Sequence, residues 1–292
     1  KSHRHHSMPT TTSYNEQLAR LITRVGHADF AHQLVATLKS LMPIDDATVL
    51  VYPDTDLPVV EYFEVPAGLG RSTLDVFVAG AFVLDPYYQA ASRDRRFGVF
   101  QLHDLAPTGF RDSEYYKAWY RNCGYQDECG FLLPNGTTGF INIALGRTGA
   151  RSRFTRQQVA ALAAVRPVIE VLCQQHWQTR PLSSSGQTSA VNLREQLNTA
   201  LNEFGSSLLT EREAQVINMV LHGHSTRTLA EKLSISVETV KLHRKHAYAK
   251  LEVSSQAELF YLFLDSLMSA GNYAGGDTLI AYLQPPQAQA AT

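Results

Sequence analysis

Closely spaced basic side chains mark the stretch Ser236–Leu251, which reads S-V-E-T-V-K-L-H-R-K-H-A-Y-A-K-L. Lys241 and Lys245 are four residues apart, so in a helix they emerge side by side on one face. Val240 and Ala247 fall on a different face and would pack inward. Ammonium groups held together in this way can contact phosphates and the acceptor atoms of base edges. The pattern therefore predicts recognition of a nucleic acid.

The start of this stretch also predicts how the helix is held. Ser236 can accept a hydrogen bond from a free N–H of the first turn, and Glu238 stands where the helix dipole favours an anion. A short helix with an apolar back and a basic front fits the major groove of DNA, which admits one α-helix. A solvated basic face is the alternative. The chain of 292 residues has a net charge of −1, so any DNA contact must come from a local patch.

Helix start and stop signals surround this stretch. Thr210–Glu213 (T-E-R-E) and Ser255–Glu258 (S-Q-A-E) are capping boxes. Gly223 suits the position after a helix end, and Ser225 can cap a helix over Thr226–Leu233. The sequence therefore predicts an all-α module in which the basic helix is the third of four.

The stretches L-T-E-R-E and H-G-H-S-T-R-T-L-A-E-K-L-S-I-S-V-E-T-V-K-L-H-R-K-H-A-Y-A-K-L resemble the LuxR/FixJ-type four-helix DNA-binding domain. The resemblance implies that Lys241 and Lys245 approach base edges of a double-stranded operator and that other residues contact phosphates. It also implies a homodimer reading two half-sites, with RNA polymerase as a further candidate partner. The predicted DNA-contacting residues are Ser236, Thr239, Lys241, Leu242, Arg244, Lys245 and Lys250.

The N-terminal part predicts a different fold class. The predicted elements are helices within Ser13–Met42, strands Ala47–Tyr52 and Val59–Glu64, a helical segment Thr73–Ala91 interrupted near Asp85-Pro86, a strand Phe97–Leu102, a helix Asp112–Arg121, strands Glu128–Leu133 and Gly139–Gly146, and a helix Thr155–Trp177. This order is typical of an α+β sensor domain of the GAF/PAS kind, with an antiparallel sheet and helices packed mainly on one side.

The segment F-V-A-G-A-F-V-L-D-P-Y-Y resembles the Asp-Pro region of ligand-binding LuxR-type proteins. The resemblance implies that Asp85 binds a polar group of a small molecule inside an aromatic pocket. The candidate pocket residues are Tyr52, Tyr62, Phe82, Tyr87, Tyr88, Trp119 and Tyr120. The tryptophan and tyrosine that precede this aspartate in acyl-homoserine-lactone receptors are missing, which favours another ligand. Two alternatives stay open: Asp85 caps a helix that begins at Pro86, and the aromatic residues are core.

The predicted organisation has five parts. They are a tag remnant at 1–7, a GAF-like sensor domain at 8–177, a linker and connecting helix at 178–207, the helix-turn-helix domain at 208–270, and a tail at 271–292. The hydrophobic fraction of 44% and the charged fraction of 18% are those of a folded protein. No apolar run reaches the roughly 20 residues that a membrane helix needs.

Other chemistry finds little support in the sequence. No nucleotide loop or nucleophile elbow is present, so neither a cofactor nor an enzymatic reaction is predicted. His222, His224, His243 and His246 lack ligand spacing for a metal. The three cysteines fit a reducing cytoplasm, with Cys123 and Cys129 as either a redox pair or inert thiols. We expect a ligand-controlled transcriptional regulator; a constitutive factor whose N-terminal domain only dimerises is the alternative.

Overall fold

The computed structural model of the chain describes residues 11–54, 56–64, 77–78, 80–121, 125–148, 153–179, 193–269 and 275–283. The strands are β1 (Asp46–Tyr52), β2 (Val59–Phe63), β3 (Gly98–Gln101), β4 (Asp127–Pro134) and β5 (Phe140–Arg147). The helices of the N-terminal part are α1 (Thr11–Ile22), α2 (Phe30–Lys39), α3 (Pro86–Ser92), α4 (Leu102–Leu105), α5 (Glu114–Tyr116) and α6 (Arg156–Thr179). Those of the C-terminal part are α7 (Leu193–Glu203), α8 (Glu211–Leu221), α9 (Thr226–Leu233), α10 (Val237–Lys250), α11 (Gln256–Ser269) and α12 (Thr278–Leu283).

The strands pair into one antiparallel sheet in the order β2-β1-β5-β4-β3. The turn between β4 and β5 is closed by a hydrogen bond from the Asn135 amide to the Gly139 carbonyl, at 3.1 Å. Gly136 has a φ of +73°, which a residue without a Cβ adopts without strain. The predicted antiparallel sheet and its P-N-G-T-T hairpin are confirmed.

One face of the sheet packs against α1, α2 and α6. Val49, Val51 and Phe131 lie in one buried cluster with Leu34 of α2 and Leu162 of α6. Val49 and Phe131 have no exposed surface.

The opposite face is covered too. Tyr52, Leu132 and Phe140 lie in a second buried cluster with Phe82 and Tyr88, and this cluster continues into the C-terminal helices. The prediction that helices pack mainly on one side is therefore wrong. The physical reason is the nearly continuous apolar content of β1 and β4, because such strands need cover on both faces.

Two segments predicted as helical form shorter turns, and the first has its predicted interruption at Asp85-Pro86. The segment predicted as helical over Thr73–Ala91 contains a 3₁₀ turn, Ala81–Leu84, followed by α3, and residues 73–76 and 79 lie outside the described residues. The segment predicted as a helix from Asp112 becomes α5 and then a π-helical turn, Lys117–Arg121. No helix among the described residues is long and apolar enough to cross a membrane.

The predicted connecting helix is present as α7 and contacts both parts of the molecule. Leu201 and Phe204 are buried, and the Phe204 ring meets Phe263 of α11 edge-on at 5.4 Å between centroids. Toward the N-terminal part, the side-chain amide of Asn198 donates a 2.7 Å hydrogen bond to the Tyr88 hydroxyl. The residues 180–192, with their linker composition, lie outside the described residues.

Candidate DNA interface and effector cavity

Helix α10 is fixed at its start and along its inner face. The Ser236 hydroxyl accepts a hydrogen bond from the Thr239 amide at 3.0 Å, and the two hydroxyl oxygens lie 2.7 Å apart. Val240 is 1% exposed and Ala247 has no exposed surface, so the apolar back of the helix is packed against its neighbours. The predicted cap and the predicted inner face are both present.

The outer face of α10 presents cations and one apolar side chain. Lys241, Leu242 and Lys245 are exposed. The Lys241 ammonium lies 2.8 Å from a carboxylate oxygen of Glu238, one turn earlier. An exposed ion pair of this kind contributes about 0–1 kcal/mol, so Lys241 can exchange Glu238 for another acceptor.

Lys250 has a defined partner inside the module. Its ammonium lies 2.6 Å from Glu213, whose side chain also accepts from the Thr210 amide at 2.9 Å and is buried. The hydrogen bond from Lys250 is the main reason that the pKa of Glu213 is below its usual value. Lys250 thus ties α10 to the start of α8, and its phosphate contact stays a prediction.

Arg244 faces the N-terminal part of the molecule. It is half-buried and lines a cavity of about 230 Å³ together with Gly109 and Asp112. It also borders a surface depression together with Lys241 and Lys245, and its predicted DNA contact stays a prediction.

A direct contact between the two parts lies beside this cavity. The amide of Ser225, the cap of α9, donates to the carbonyl of Thr108 at 2.7 Å. Gly109 has a φ of +97°, and a Cβ at this position would lie 2.9 Å from the Ser225 nitrogen. The close approach therefore requires a glycine here. No local sequence pattern predicts this contact, because it joins two loops more than a hundred residues apart.

Asp85 lies at the centre of a buried hydrogen-bond network. One carboxylate oxygen accepts from the amides of Tyr87 and Tyr88 at 2.8 and 3.1 Å, which caps α3. The other oxygen accepts from the hydroxyls of Tyr115 and Tyr120 at 2.9 and 3.1 Å. The capping interpretation of Asp85 is confirmed, and its ligand role stays a prediction.

Burial controls the ionisation of this network. Loss of water raises the pKa of Asp85 and holds the pKa values of Tyr115 and Tyr120 well above the usual range. The pKa of Glu128 is also raised well above its usual value, first by burial and then by the charges of Asp85 and Asp46. The interior on this side of the sheet therefore favours neutral carboxyl groups and phenols.

The predicted aromatic cluster forms largely as core. Tyr52 stacks on Phe140 at 4.3 Å between ring centroids, and Phe82 meets Tyr88 edge-on at 4.9 Å. Tyr87 is buried, and its hydroxyl donates to a carbonyl of β3 at 3.2 Å. The side chain of Trp119 lies outside the described residues.

Tyr62 is not part of this cluster. It pairs across β1 and β2 with Val49, whose side chain faces α2 and α6, and cross-strand partners project from the same face. Its hydroxyl donates to Glu64 at 2.8 Å. The prediction that Tyr62 lines the pocket of Asp85 is wrong, because the period of the strand turns it to the other face.

A separate cavity of about 630 Å³ lies beyond Tyr120, between α4, the 3₁₀ turn Phe110–Asp112 and the start of α6. Glu128 reaches this cavity and is 5% exposed. Glu128 is not among the site residues predicted from the sequence. The available signal was the pair of acidic residues, Asp127 and Glu128, at the start of an otherwise apolar strand.

The described cysteines are unreactive in this structure. Cys129 has no exposed surface, and burial raises the pKa of its thiol to about 12. Cys173 is buried in the same way. Cys123 lies outside the described residues, so the redox pair stays untested.

Comparison with known proteins identifies the family to which this chain belongs. Residues 207–263 match a family model, GerE, described as bacterial regulatory proteins of the LuxR family. A protein of Aeromonas salmonicida, named as an HTH-type transcriptional regulator in the exeN 3′ region, is 38% identical over 189 residues, which are 64% of this chain and 96% of that protein. The chain belongs to the LuxR family. Proteins of this family are transcriptional regulators and not enzymes.

Two further proteins are similar to this LuxR-family chain over part of its length. The monoamine regulon transcriptional regulator of Klebsiella aerogenes is 28% identical over 145 residues, 48% of this chain and 55% of the relative. The crystal structure of the ligand-binding domain of VqsR from Pseudomonas aeruginosa superposes with a TM-score of 0.50 at 24% identity, covering 57% of this chain and 98% of that one. At this identity the likeness shows the fold alone, which is that of a LuxR-type ligand-binding domain.

Proposed function

We propose that this LuxR-family regulator binds a double-stranded DNA operator through α10, acts as a homodimer in the cytoplasm, and is controlled by a small molecule bound in its N-terminal domain. The observation that carries the DNA contact is the geometry of α10. Its cap and buried back fix the helix, and Lys241 and Lys245 stand exposed on its front.

The side chains predicted to contact DNA lie in α10 and its cap, and they have separate proposed tasks. Lys241 and Lys245 donate to base edges or phosphates in the major groove, and Leu242 contacts a thymine methyl group. Ser236 and Thr239, at the start of the helix, contact phosphates, with Arg244 and Lys250 adding positive potential. A lysine offers one point charge and not a bidentate fork, so the base selectivity of one module is modest.

Dimerisation supplies the missing selectivity in this proposal. One helix-turn-helix module reads a single half-site, and a dimer reads two in fixed spacing. The C-terminal helices carry exposed apolar side chains that can meet a second copy, including Tyr261 and Met268 of α11, each 57% exposed. RNA polymerase is a further partner of a regulator bound in this way.

In this proposal the protein exchanges between a state that binds DNA and one that does not, and the small molecule shifts the equilibrium between them. A ligand shifts the population of DNA-competent dimers only by its differential affinity for the two states. Asp85 is the residue proposed from the family resemblance to bind such a ligand. A second candidate function, a constitutive DNA-binding factor, is favoured by one observation: the rings around Asp85 already pack on one another.

The proposal is tested by fluorescence anisotropy of the full chain on an operator selected from random DNA. Lys245→Ala removes one contact at the groove, so we expect about a tenfold loss of affinity, corresponding to roughly 1.4 kcal/mol. Arg20→Ala is the matched control, because Arg20 is an exposed cation on α1, far along the chain from α10. Unchanged melting temperatures of both variants show that the fold is retained.

Repeating the selection with Lys241→Ala separates base reading from phosphate contact. A changed preference at one position of each half-site supports base reading, and a uniform loss indicates a phosphate contact. If Lys245→Ala binds as tightly as the wild type, α10 does not use this face for DNA.

A further inference from the structure

The cavity beyond Tyr120 combines properties that no other region among the described residues shows together. Its volume of about 630 Å³ falls inside the range of roughly 300–1,000 Å³ typical of small-molecule sites. Phe110, Tyr116 and Tyr120 line it, and the rings of Tyr116 and Tyr120 stack at 5.6 Å between centroids with an angle of 5°. Aromatic walls of this kind suit a flat apolar or aromatic group.

The floor of the cavity carries one buried acid. Glu128 lines the cavity but is only 5% exposed, and Tyr120 beside it donates its hydroxyl to Asp85. Burial and neighbouring carboxylates raise the pKa of Glu128 well above its usual value. A cation brought to this carboxyl would favour its ionised form and gain a charge-assisted hydrogen bond.

The rim carries the opposite charge. Arg111, Arg153 and Arg156 line the same cavity and are exposed, and we call these three residues the arginine rim. Guanidinium groups bind carboxylates in a planar, bidentate geometry. Asp127 also lines the cavity, but its carboxylate already accepts from the Phe154 amide at 2.8 Å and from Gln101 at 3.2 Å.

We propose that this cavity binds an aromatic amino acid, or a close derivative that keeps both charged groups, with its ammonium at Glu128 and its carboxylate at the arginine rim. A ligand with only one charge would match only one end of the cavity. The region around Asp85 is a poorer host, because its two oxygens already accept four hydrogen bonds from Tyr87, Tyr88, Tyr115 and Tyr120.

The position of the cavity also gives the ligand a route to the DNA-binding module. Gly109 and Asp112 line this cavity and also line the cavity beside Arg244 of α10. The neighbouring Thr108 carbonyl accepts from the Ser225 amide of α9. A ligand that displaces the segment 108–112 therefore changes the surface on which the DNA-binding module rests. This step rests on the proposed function, since it assumes that ligand and operator binding are coupled.

The test is isothermal titration calorimetry of the full chain with L-phenylalanine, L-tyrosine and L-tryptophan. The matched analogues are 3-phenylpropionate, which lacks the ammonium group, and 2-phenylethylamine, which lacks the carboxylate. We expect at least one of the amino acids to bind, and each single-charge analogue to bind about tenfold or more weakly than L-phenylalanine, because a charged hydrogen bond is lost. The proposal is overturned if no aromatic amino acid binds at millimolar concentration, or if 3-phenylpropionate binds as well as L-phenylalanine.

Two variants locate the site. Glu128→Gln keeps the shape of the neutral carboxyl group, so the fold should be retained while the preference for the ammonium group disappears. Arg153→Met should weaken the amino acid and 3-phenylpropionate together and leave 2-phenylethylamine unchanged. Glu16→Gln and Arg20→Met, at exposed positions of α1, are the matched controls. Equal amino acid affinity in Glu128→Gln and the wild type would show that the ligand binds elsewhere.

Operator binding measured with and without the amino acid separates this inference from the proposed function. Glu128-dependent amino acid binding with an unchanged operator affinity supports the site and contradicts the proposed ligand control. A response to a different molecule that persists in Glu128→Gln supports ligand control and contradicts this site.

Discussion

Helices α3 and α10 both begin with a side-chain cap, and they differ in how far the capping residue reaches. Ser236 accepts from an amide three residues later and serves its own helix. Asp85 caps α3 in the same way and also accepts hydroxyls from 30 and 35 residues later. A local cap stabilises one helix, whereas the Asp85 carboxylate joins the start of α3 to α5 and to the π-helical turn that follows α5.

The two regions also place charge differently. The DNA-binding module exposes its cations, and its buried acid Glu213 is paired with Lys250. The sensor core buries Asp85 and Glu128 near each other, with phenols as their neighbours. We therefore expect the module to lose stability when acids are protonated and the sensor core to lose stability when acids ionise.

The largest expected effect is that of Asp85→Ala. This change removes a helix cap and two buried hydrogen bonds that the Tyr115 and Tyr120 hydroxyls donate to the carboxylate, so we expect a loss of about 3 kcal/mol or more in the free energy of unfolding. Urea denaturation followed by circular dichroism measures it. A loss no larger than that of Ser236→Ala would mean that Asp85 acts as a local cap only.

The second prediction concerns pH. Burial raises the pKa of Asp46 from 3.8 to about 6, so the folded state binds a proton that the unfolded chain has released. The stabilisation is complete below pH 3.8 and is lost as the pH rises through about 6. Asp46→Asn should remove a stability difference of about 2 kcal/mol between pH 4 and pH 7.

Denaturation of wild type and variant across this pH range gives the measurement, with Asp94→Asn at an exposed position as the control. Parallel curves for wild type and Asp46→Asn would show that Asp46 ionises normally in the folded protein.

The third prediction concerns an acid of the DNA-binding module whose pKa is lowered, the opposite of Asp46. Lys250→Ala leaves the buried Glu213 carboxylate without its main partner, and we expect a loss of about 1 kcal/mol near neutral pH. Because the pKa of Glu213 is lowered, the pair stabilises the fold above the usual glutamate pKa, and this contribution disappears as the pH falls. Thermal melts at neutral and acid pH measure both effects; an equal loss at both would argue against the pair.

The smallest expected effect is that of Ser236→Ala. The change removes the hydrogen bond from the Thr239 amide and the exposed contact with the Thr239 hydroxyl, so we expect about 0.5–1 kcal/mol. Urea denaturation of this variant and of Asp85→Ala compares the free energies of unfolding that a local cap and a far-reaching cap contribute.

The sequence predicted the DNA-binding module in detail because its signals are local. The capping box Thr210–Glu213, the left-handed glycine at 223 and the apolar spacing of α10 each involve residues within one or two turns. The β4–β5 hairpin was predictable for the same reason. The second covered face of the sheet and the position of Tyr62 were not, since both depend on which strands become neighbours.

The sequence by itself therefore determined the four-helix module, the strands and the family, because helix caps, turns and periodicity act over a few residues. The tertiary structure alone decided that Asp85 gathers Tyr115 and Tyr120, that Glu128 forms the floor of a cavity under an arginine rim, and that Thr108 contacts Ser225. These contacts join segments far apart in the chain, and only the pairing of strands and the packing of helices sets such distances.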